Sequence, residues 1–589
     1  MSSSRRASVR AGAAVILCAA ALCALSCRRG VAPSPASAPV ASSAHAAVPA
    51  PSPPAAPQTP GGFHFTDVSD AAGLTRVLHA GRPGKDHLLD SAGTGAGWID
   101  FDRDGLLDIY AVNGWKLDGS RIVEKGRNAL YRNRGNGTFE DVTDKAGVAG
   151  EGHWGSGVTV ADYDGDGWPD MLVANFGPNV LYRNRGDGTF ENKAAEAGIE
   201  VPGWNTGAAF FDADGDGDLD LYIAAYIVST MDEVLTATRR LDWKGVEKVA
   251  FGPFGMTGAL DHFFRNEGKG RFTDMTTEAG LVDKGLAFGF GVRAIDIDDD
   301  GDLDLFVAND SDANYLYRNE GKGQFMEVGL WSGAAFDSHG AAQASMGVAG
   351  GDVTGDTLVD LFVTNFSEDF STLYQGDGQG FFEDVSARTG VGEATYMPLS
   401  WGAIFEDLDN DGDRDIMEAS GHIYPQVDAH PEFGMTYRQR NTLLENIGDA
   451  RFNDSSAGAG GDFVTPWCSR GLAAADYDND GDIDLLLTHL DEPPTLLRND
   501  ATSGAWLTVI PVAANGAPVM GARVVVTAAG KKQKGDVYNG ASYLSSHDPR
   551  VHFGLGAAKT VESVEVIWPD GTRTAMKDVK PNQFLTIRR

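Results

Sequence analysis

Seven nine-residue segments built on the pattern D-x-D-x-D-G-x-x-D limit what this chain can fold into. The acidic positions are Asp100, Asp102, Asp104 and Asp108; Asp162, Asp164, Asp166 and Asp170; Asp212, Asp214, Asp216 and Asp220; and Asp296, Asp298, Asp300 and Asp304. The series continues with Asp352, Asp356 and Asp360; Asp407, Asp409, Asp411 and Asp415; and Asp476, Asp478, Asp480 and Asp484. Alternate carboxylates around a glycine can wrap a hard cation in oxygen, and calcium takes six to eight such ligands. The glycine allows the turn that returns position 9 to the ion. An EF-hand would need flanking helices and a Glu at position 12. Here the exits, such as Leu221-Tyr222-Ile223 and Leu485-Leu486-Leu487, read as strands. Up to seven structural Ca2+ ions are therefore expected. The fifth site is the weakest, because Thr354 replaces a carboxylate and Thr357 replaces the glycine.

Each loop belongs to a longer unit, and the units start 50 to 84 residues apart. A glycine stands five residues before the first Asp (Gly95, Gly157, Gly207, Gly291, Gly347, Gly402, Gly471). After the loop come an apolar strand, a segment such as Leu130-Tyr131-Arg132-Asn133, a glycine-rich turn and a strand such as Phe139-Glu140-Asp141-Val142. Four strands per unit at this period predict propeller blades. The seventh unit lacks its fourth strand, and an orphan copy, Phe65-Thr66-Asp67-Val68, precedes the first unit. The N-terminal strand is expected to complete the last blade, leaving no open edge. The expected fold is an all-β, seven-bladed propeller over residues 61–500, followed by a small β-sandwich or barrel-like domain over 501–589.

Residues 1–26 read as a signal peptide. Arg5, Arg6 and Arg10 precede an apolar run from Ala11 to Leu25, and Ala24-Leu25-Ser26-Cys27 resembles a lipoprotein cleavage box with Cys27 as the lipidated residue. An ordinary signal peptide and a twin-arginine signal are the other readings. Nine of the chain's 25 prolines fall between residues 31 and 60, so 27–60 reads as an extended tether. Only Cys468 lies beyond these segments, which excludes an internal disulfide there. The formal net charge of −35 excludes nucleic acid as a natural partner.

The repeats resemble the FG-GAP/VCBS propellers related to integrin α heads. In the tail, Gly540-Ala541-Ser542-Tyr543-Leu544-Ser545, Asp548-Pro549-Arg550, His552-Phe553-Gly554-Leu555-Gly556 and Val564-Glu565-Val566-Ile567-Trp568-Pro569 resemble the ASPIC/UnbV domain. Together they are similar to the cartilage acidic protein family, in its bacterial form. The resemblance implies a secreted calcium-binding protein. Phe251-Gly252-Pro253 departs from it where relatives tend to carry cysteine first.

By this topology all seven acidic loops share one face, and the two large insertions, 224–261 and 420–440, decorate the other. Long insertions on one rim point to binding or catalysis. Residues before the inner strands, including His153, Trp154, Trp204, Trp401 and Arg470, would ring the channel mouth there, with Tyr437 nearby. They suit a ligand site, or they fill the channel as packing. His422, Tyr424 and Arg470 are the candidate catalytic groups if this is an extracytoplasmic enzyme. Asp548, Arg550 and His552 read as a salt-bridged turn. The expected role is a surface recognition module on a bacterial lipoprotein, at the outer membrane or cell surface, or else secreted. It would hold a protein or glycan ligand and touch the membrane only through its anchor.

Overall fold

The computed structural model describes residues 62–281, 286–461, 463–501 and 504–589. The signal segment, Cys27 and the tether lie outside these residues.

Each unit folds as an antiparallel four-stranded sheet, because apolar runs flank a loop that must turn back on itself. In the first unit the strands are Ala96–Ile99, Asp108–Ala111, Ala129–Asn133 and Phe139–Asp141. Five further sheets repeat this order, the sixth being Ser400–Glu406, Asp415–Ser420, Thr442–Asn446 and Phe452–Asp454. The last combines Ser469–Ala475, Asp484–His489 and Thr495–Asn499 with Phe65–Asp67, and Phe65 pairs with Asn499. The N-terminal strand thus completes the final sheet, as the orphan copy implied.

The innermost strands contact one another in chain order, and the last contacts the first. Neighbouring sheets enclose apolar clusters. Leu172 and Phe210 sit between the second and third, and Trp98, Tyr131, Tyr477 and Leu486 between the last and the first. A fully buried side chain of this kind stabilises by roughly 1.5–3 kcal/mol, so the last-to-first junction is held by packing like the others. This is the architecture of a β-propeller.

The repeated glycine lines the axis. In five units the inner strand slips register there, as between Asn205 and Ala208 or Ser400 and Ala403. A Cβ on Gly95 would lie 1.7 Å from the Leu544 carbonyl oxygen, and one on Gly347 would lie 1.9 Å from that of Trp401. Only glycine fits where seven strands converge.

The C-terminal segment folds as two packed sheets. One holds Ala505–Val512, Val551–Gly556 and Phe584–Arg588; the other holds Arg523–Ala528, Lys531–Asp536, Val561–Ile567 and Arg573–Val579. Leu507, Val524, Val526, Phe553, Val564 and Val566 fill the space between. This sandwich sits on the acidic loops. Arg523 pairs with Asp296 and Asp299, Lys531 with Asp413, and Asn515 bonds to Asp162.

Between the two sheets the chain runs into the central channel. Asn539 bonds the backbone of Phe210 in both directions, and Ser542 exchanges bonds with Val348. Val158 N–H donates to Leu544, Ser546 pairs with Ala96 and Trp98, and Ala474 N–H donates to His547 Nδ1. Tyr543 reaches furthest, fully buried with its ring 4.8 Å from Trp401 and 5.3 Å from Phe290.

Candidate functional site

All seven acidic loops share one set of bonds. The position-1 carboxylate accepts the position-6 N–H, from Gly105 to Asp100 at 3.1 Å through Gly481 to Asp476 at 2.9 Å. The position-9 carboxylate accepts the position-2 N–H on one oxygen and a third-strand N–H on the other. For Asp108 the donors are Phe101 at 3.1 Å and Asn133 at 2.7 Å. Position 9 is therefore a clamp as well as a potential ligand.

The arrangement fits a hard cation. Carboxylate oxygens of Asp100, Asp102 and Asp108 come within 4.8 Å of one another, as do those of Asp162, Asp164 and Asp170, Asp212, Asp214 and Asp220, Asp296, Asp298 and Asp300, and Asp407, Asp409 and Asp415. Asp102 Oδ1, Asp296 Oδ1 and Asp298 Oδ1 are buried without a hydrogen-bond partner. Such orphaned oxygens carry a desolvation cost that a cation would offset. Burial also pushes Asp108, Asp220 and Asp304 up to about 8. Asp104, Asp166, Asp216, Asp411, Asp476, Asp478, Asp480 and Asp484 occupy the corresponding positions of their loops. In the fifth loop Thr357 holds φ 69, the left-handed region that glycine occupies in the other six.

Of the two roles open to the channel-mouth residues, Trp154 and Trp204 take that of packing. Trp154 and Trp204 are buried, not presented to solvent. Trp154 packs on Trp115, and Trp204 on Tyr226 at 4.9 Å. The physical reason is local packing: Trp115 covers Trp154, and Phe176, Tyr226 and His87 surround Trp204, so these rings are core. His153 and Tyr437 are half-buried at the margin.

The suspected catalytic groups adjoin one another and all are buried: Arg470 Nη2 donates to the His422 carbonyl at 3.4 Å, and the His422 and Tyr424 rings lie 5.5 Å apart. Arg470 is fully buried, stacked 4.0 Å over Trp401. Its donors meet the carbonyls of Ser91 (2.7 Å), Ser469 (2.7 Å) and Gly421 (3.0 Å). That arginine ties strands together. His422 is also fully buried, and its Nδ1 accepts the Tyr424 N–H at 3.0 Å. Burial, then the nearby Arg470 charge, lowers it to about 3, so it stays neutral. Asp548 and Arg550 form the expected salt bridge, and Arg550 extends to Asn479 and the Asp476 carbonyl. His552 Nε2 contacts Asn410 Oδ1 at 2.7 Å.

Of these residues Trp401 and Tyr424 line a cavity of about 370 Å³ on the insertion-bearing face. Its other walls come from Leu88, Ser91 and Ala92, from Tyr226, Trp243 and Phe254 of the first insertion, and from Asp310, Phe366 and Asp369. Sequence reasoning missed Asp310 and Asp369, which stand in short connections, and Trp243, which stands in the first insertion; none belongs to a repeated pattern.

Comparison with known proteins agrees with the repeats and the tail. The FG-GAP-like repeat family matches residues 100–173, 162–223, 296–363 and 428–487, and the ASPIC and UnbV family matches 512–589. Cartilage acidic protein 1 of Mus musculus is 28% identical over 479 residues, covering 70% of each chain. The Xenopus tropicalis protein of that name is 26% identical over 507 residues, covering 81% of this chain and 70% of its own. Among solved structures, an Agrocybe aegerita lectin that recognises non-reducing terminal N-acetylglucosamine is 16% identical. It covers 68% of this chain and 86% of its own, with a TM-score of 0.34. Among the described residues no helix is long and apolar enough to cross a membrane.

Proposed function

We propose that this chain, a protein of FG-GAP-like repeats with an ASPIC and UnbV domain and a homologue of cartilage acidic protein 1, is a calcium-stapled recognition module of the cell surface. The calcium is structural: it would sit among the carboxylates at positions 1, 3 and 9, neutralising charge that otherwise opposes compaction. Export, and a lipid anchor at Cys27, follow the sequence reading of the N-terminus.

The observation that carries recognition is the contrast between the two faces. The acidic-loop face is covered by the C-terminal sandwich, whereas the insertion 224–261 holds out Val228, Phe251, Phe254 and Leu260, each 41–66% exposed. Apolar side chains grouped on one insertion mark an interaction surface. A protein or glycan is the proposed ligand.

The test is capture by the intact protein on glycan arrays and on surface-protein libraries. Serine at Phe251, Phe254 and Leu260 should abolish capture, and Trp331→Ala, a substitution at an 82% exposed tryptophan elsewhere, should not. Capture indifferent to the insertion would overturn this assignment of the face. Cys27→Ser should move the protein from the membrane to the soluble fraction.

A further inference from the structure

We infer that the cavity beside Trp243 and Trp401 is a binding site for an organic ammonium group, with Asp310 and Asp369 as its counter-charges. The inference rests on the reading that the insertion-bearing face takes ligands, and it names the chemistry of one subsite there.

Three observations support it. The walls are lined by the aromatic rings of Tyr226, Trp243, Phe290 and Trp401, and two of these rings already stack with a cation elsewhere, Trp401 with Arg470 and Trp243 with Lys244. Aromatic faces attract cations through the ring quadrupole, most strongly where water is excluded. Among the described lining residues two are carboxylates and none is basic, while Arg470 and Lys244 stand behind the wall on the rings of Trp401 and Trp243. Finally, Ser367 lines the cavity with its Oγ buried and unpartnered, 6% of the residue being exposed.

The carboxylates are held in place. Asp310 accepts the Tyr226 hydroxyl at 2.6 Å and the Ser311 hydroxyl at 2.8 Å. Asp369 accepts Gln343 Nε2 at 2.7 Å, and the Gln343 carbonyl accepts the Ser311 N–H at 2.9 Å. The two acids therefore belong to one hydrogen-bonded wall. Burial raises both above the ordinary carboxyl range, and a bound cation would relieve that penalty. Trp401 spends its indole N–H on the Gly421 carbonyl at 2.8 Å, so toward the cavity it presents a ring and no donor. A methylated ammonium needs only aromatic contact and negative charge, both of which line this cavity. Phe290 and Trp401 stand on Tyr543, so the C-terminal domain supports the floor of the site.

The experiment is calorimetric titration of the intact protein with tetramethylammonium, choline and methylammonium chlorides, against potassium chloride at equal ionic strength. Saturation at one equivalent is expected for the ammonium salts and none for potassium. Asp310→Asn and Trp243→Ala should each weaken binding at least about tenfold, Tyr226→Phe less, and Trp331→Ala not at all. Thermal melting identifies any variant that fails to fold, and Ser367→Ala then serves as the milder probe.

Vesicles with choline headgroups, compared with vesicles lacking them, separate the two sources: co-sedimentation with the first assigns a lipid headgroup, and free choline alone assigns a small solute. No heat from any ammonium salt, or equal binding by wild type and both variants, overturns the inference. If the insertion-dependent capture described above persists in that case, the recognition face stands and only the ammonium chemistry fails. If the ammonium binds but no macromolecule is captured, the cavity stands and the recognition reading fails.

Discussion

Asn133 Nδ2 donates to the carbonyl of Tyr477 at 3.0 Å, joining the first unit to the last across 344 residues of chain. The same amide donates to Leu107 of its own loop at 3.1 Å. The relationship recurs around the ring. Asn184 reaches Phe101, Asn266 reaches Tyr163, Asn319 reaches Ala213, Asn446 reaches Val353, and Asn499 reaches Leu408. Each asparagine fixes its own loop to the loop of the preceding unit. In the fifth unit Gly376 stands at that position and has no side-chain amide to offer, though its backbone N–H still donates to Asp360 at 3.2 Å.

Asn133→Ala is expected to lower unfolding stability by about 1–3 kcal/mol, since two buried carbonyls lose a donor. Asn184→Ala should cost a similar amount. Urea unfolding measures both, and a change near zero would show that solvent replaces the staple.

Removing metal should make stability depend on pH with a definite sign. Asp108, Asp220 and Asp304 lie near 8, and Asp360 and Asp476 near 7, against an ordinary value of 3.8, chiefly through burial. Acids raised in this way bind more protons folded than unfolded. The metal-free protein is therefore most stable below about pH 4 and loses that stability as pH rises through about 7 to 8. Calcium should reverse the trend, and its affinity should rise across the same window. Melting temperatures from pH 4 to about 8, with chelator and with calcium, test both signs.

Thr357→Gly should stabilise the fifth loop. A β-branched residue at φ 69 costs roughly 1–3 kcal/mol, partly offset by about 0.5–1 kcal/mol of glycine entropy. A net gain near 1 kcal/mol is expected in chemical denaturation. The reverse change, Gly105→Thr in the first loop, should destabilise.

Tyr543→Ala should cost about 3–5 kcal/mol, as for other fully buried aromatic side chains. The substitution hollows the channel beneath Phe290 and Trp401, so binding of a hydrophobic dye should rise as stability falls. Unchanged stability would contradict the channel packing described here.

The legible parts of this protein were those repeated in the sequence. Nine-residue acidic loops recur seven times, so their clustered carboxylates and their shared face could be read from residue types alone. Closure by Phe65–Asp67 was legible because one strand was missing and one was spare. The role of Asn133 was not, since its partner Tyr477 is distant in sequence and accepts through a backbone carbonyl that no side chain announces. The burial of Trp154 and Trp204 was harder to read, because it comes from Trp115, Phe176 and Tyr226, which no repeated pattern brings against them. The tail motif around Tyr543 was visible as a resemblance, and nothing in its composition says that it threads a channel. Asp310 and Asp369 each occur once, and without repetition they carried no signal.

Calcium in the acidic loops is tested most directly by elemental analysis of the purified protein after gel filtration in trace calcium. About six calcium ions per chain are expected, one for each complete loop, with the fifth loop filling last. Fewer than about three at saturating calcium, or stoichiometric zinc, copper or iron in their place, would contradict a structural calcium role for the repeats.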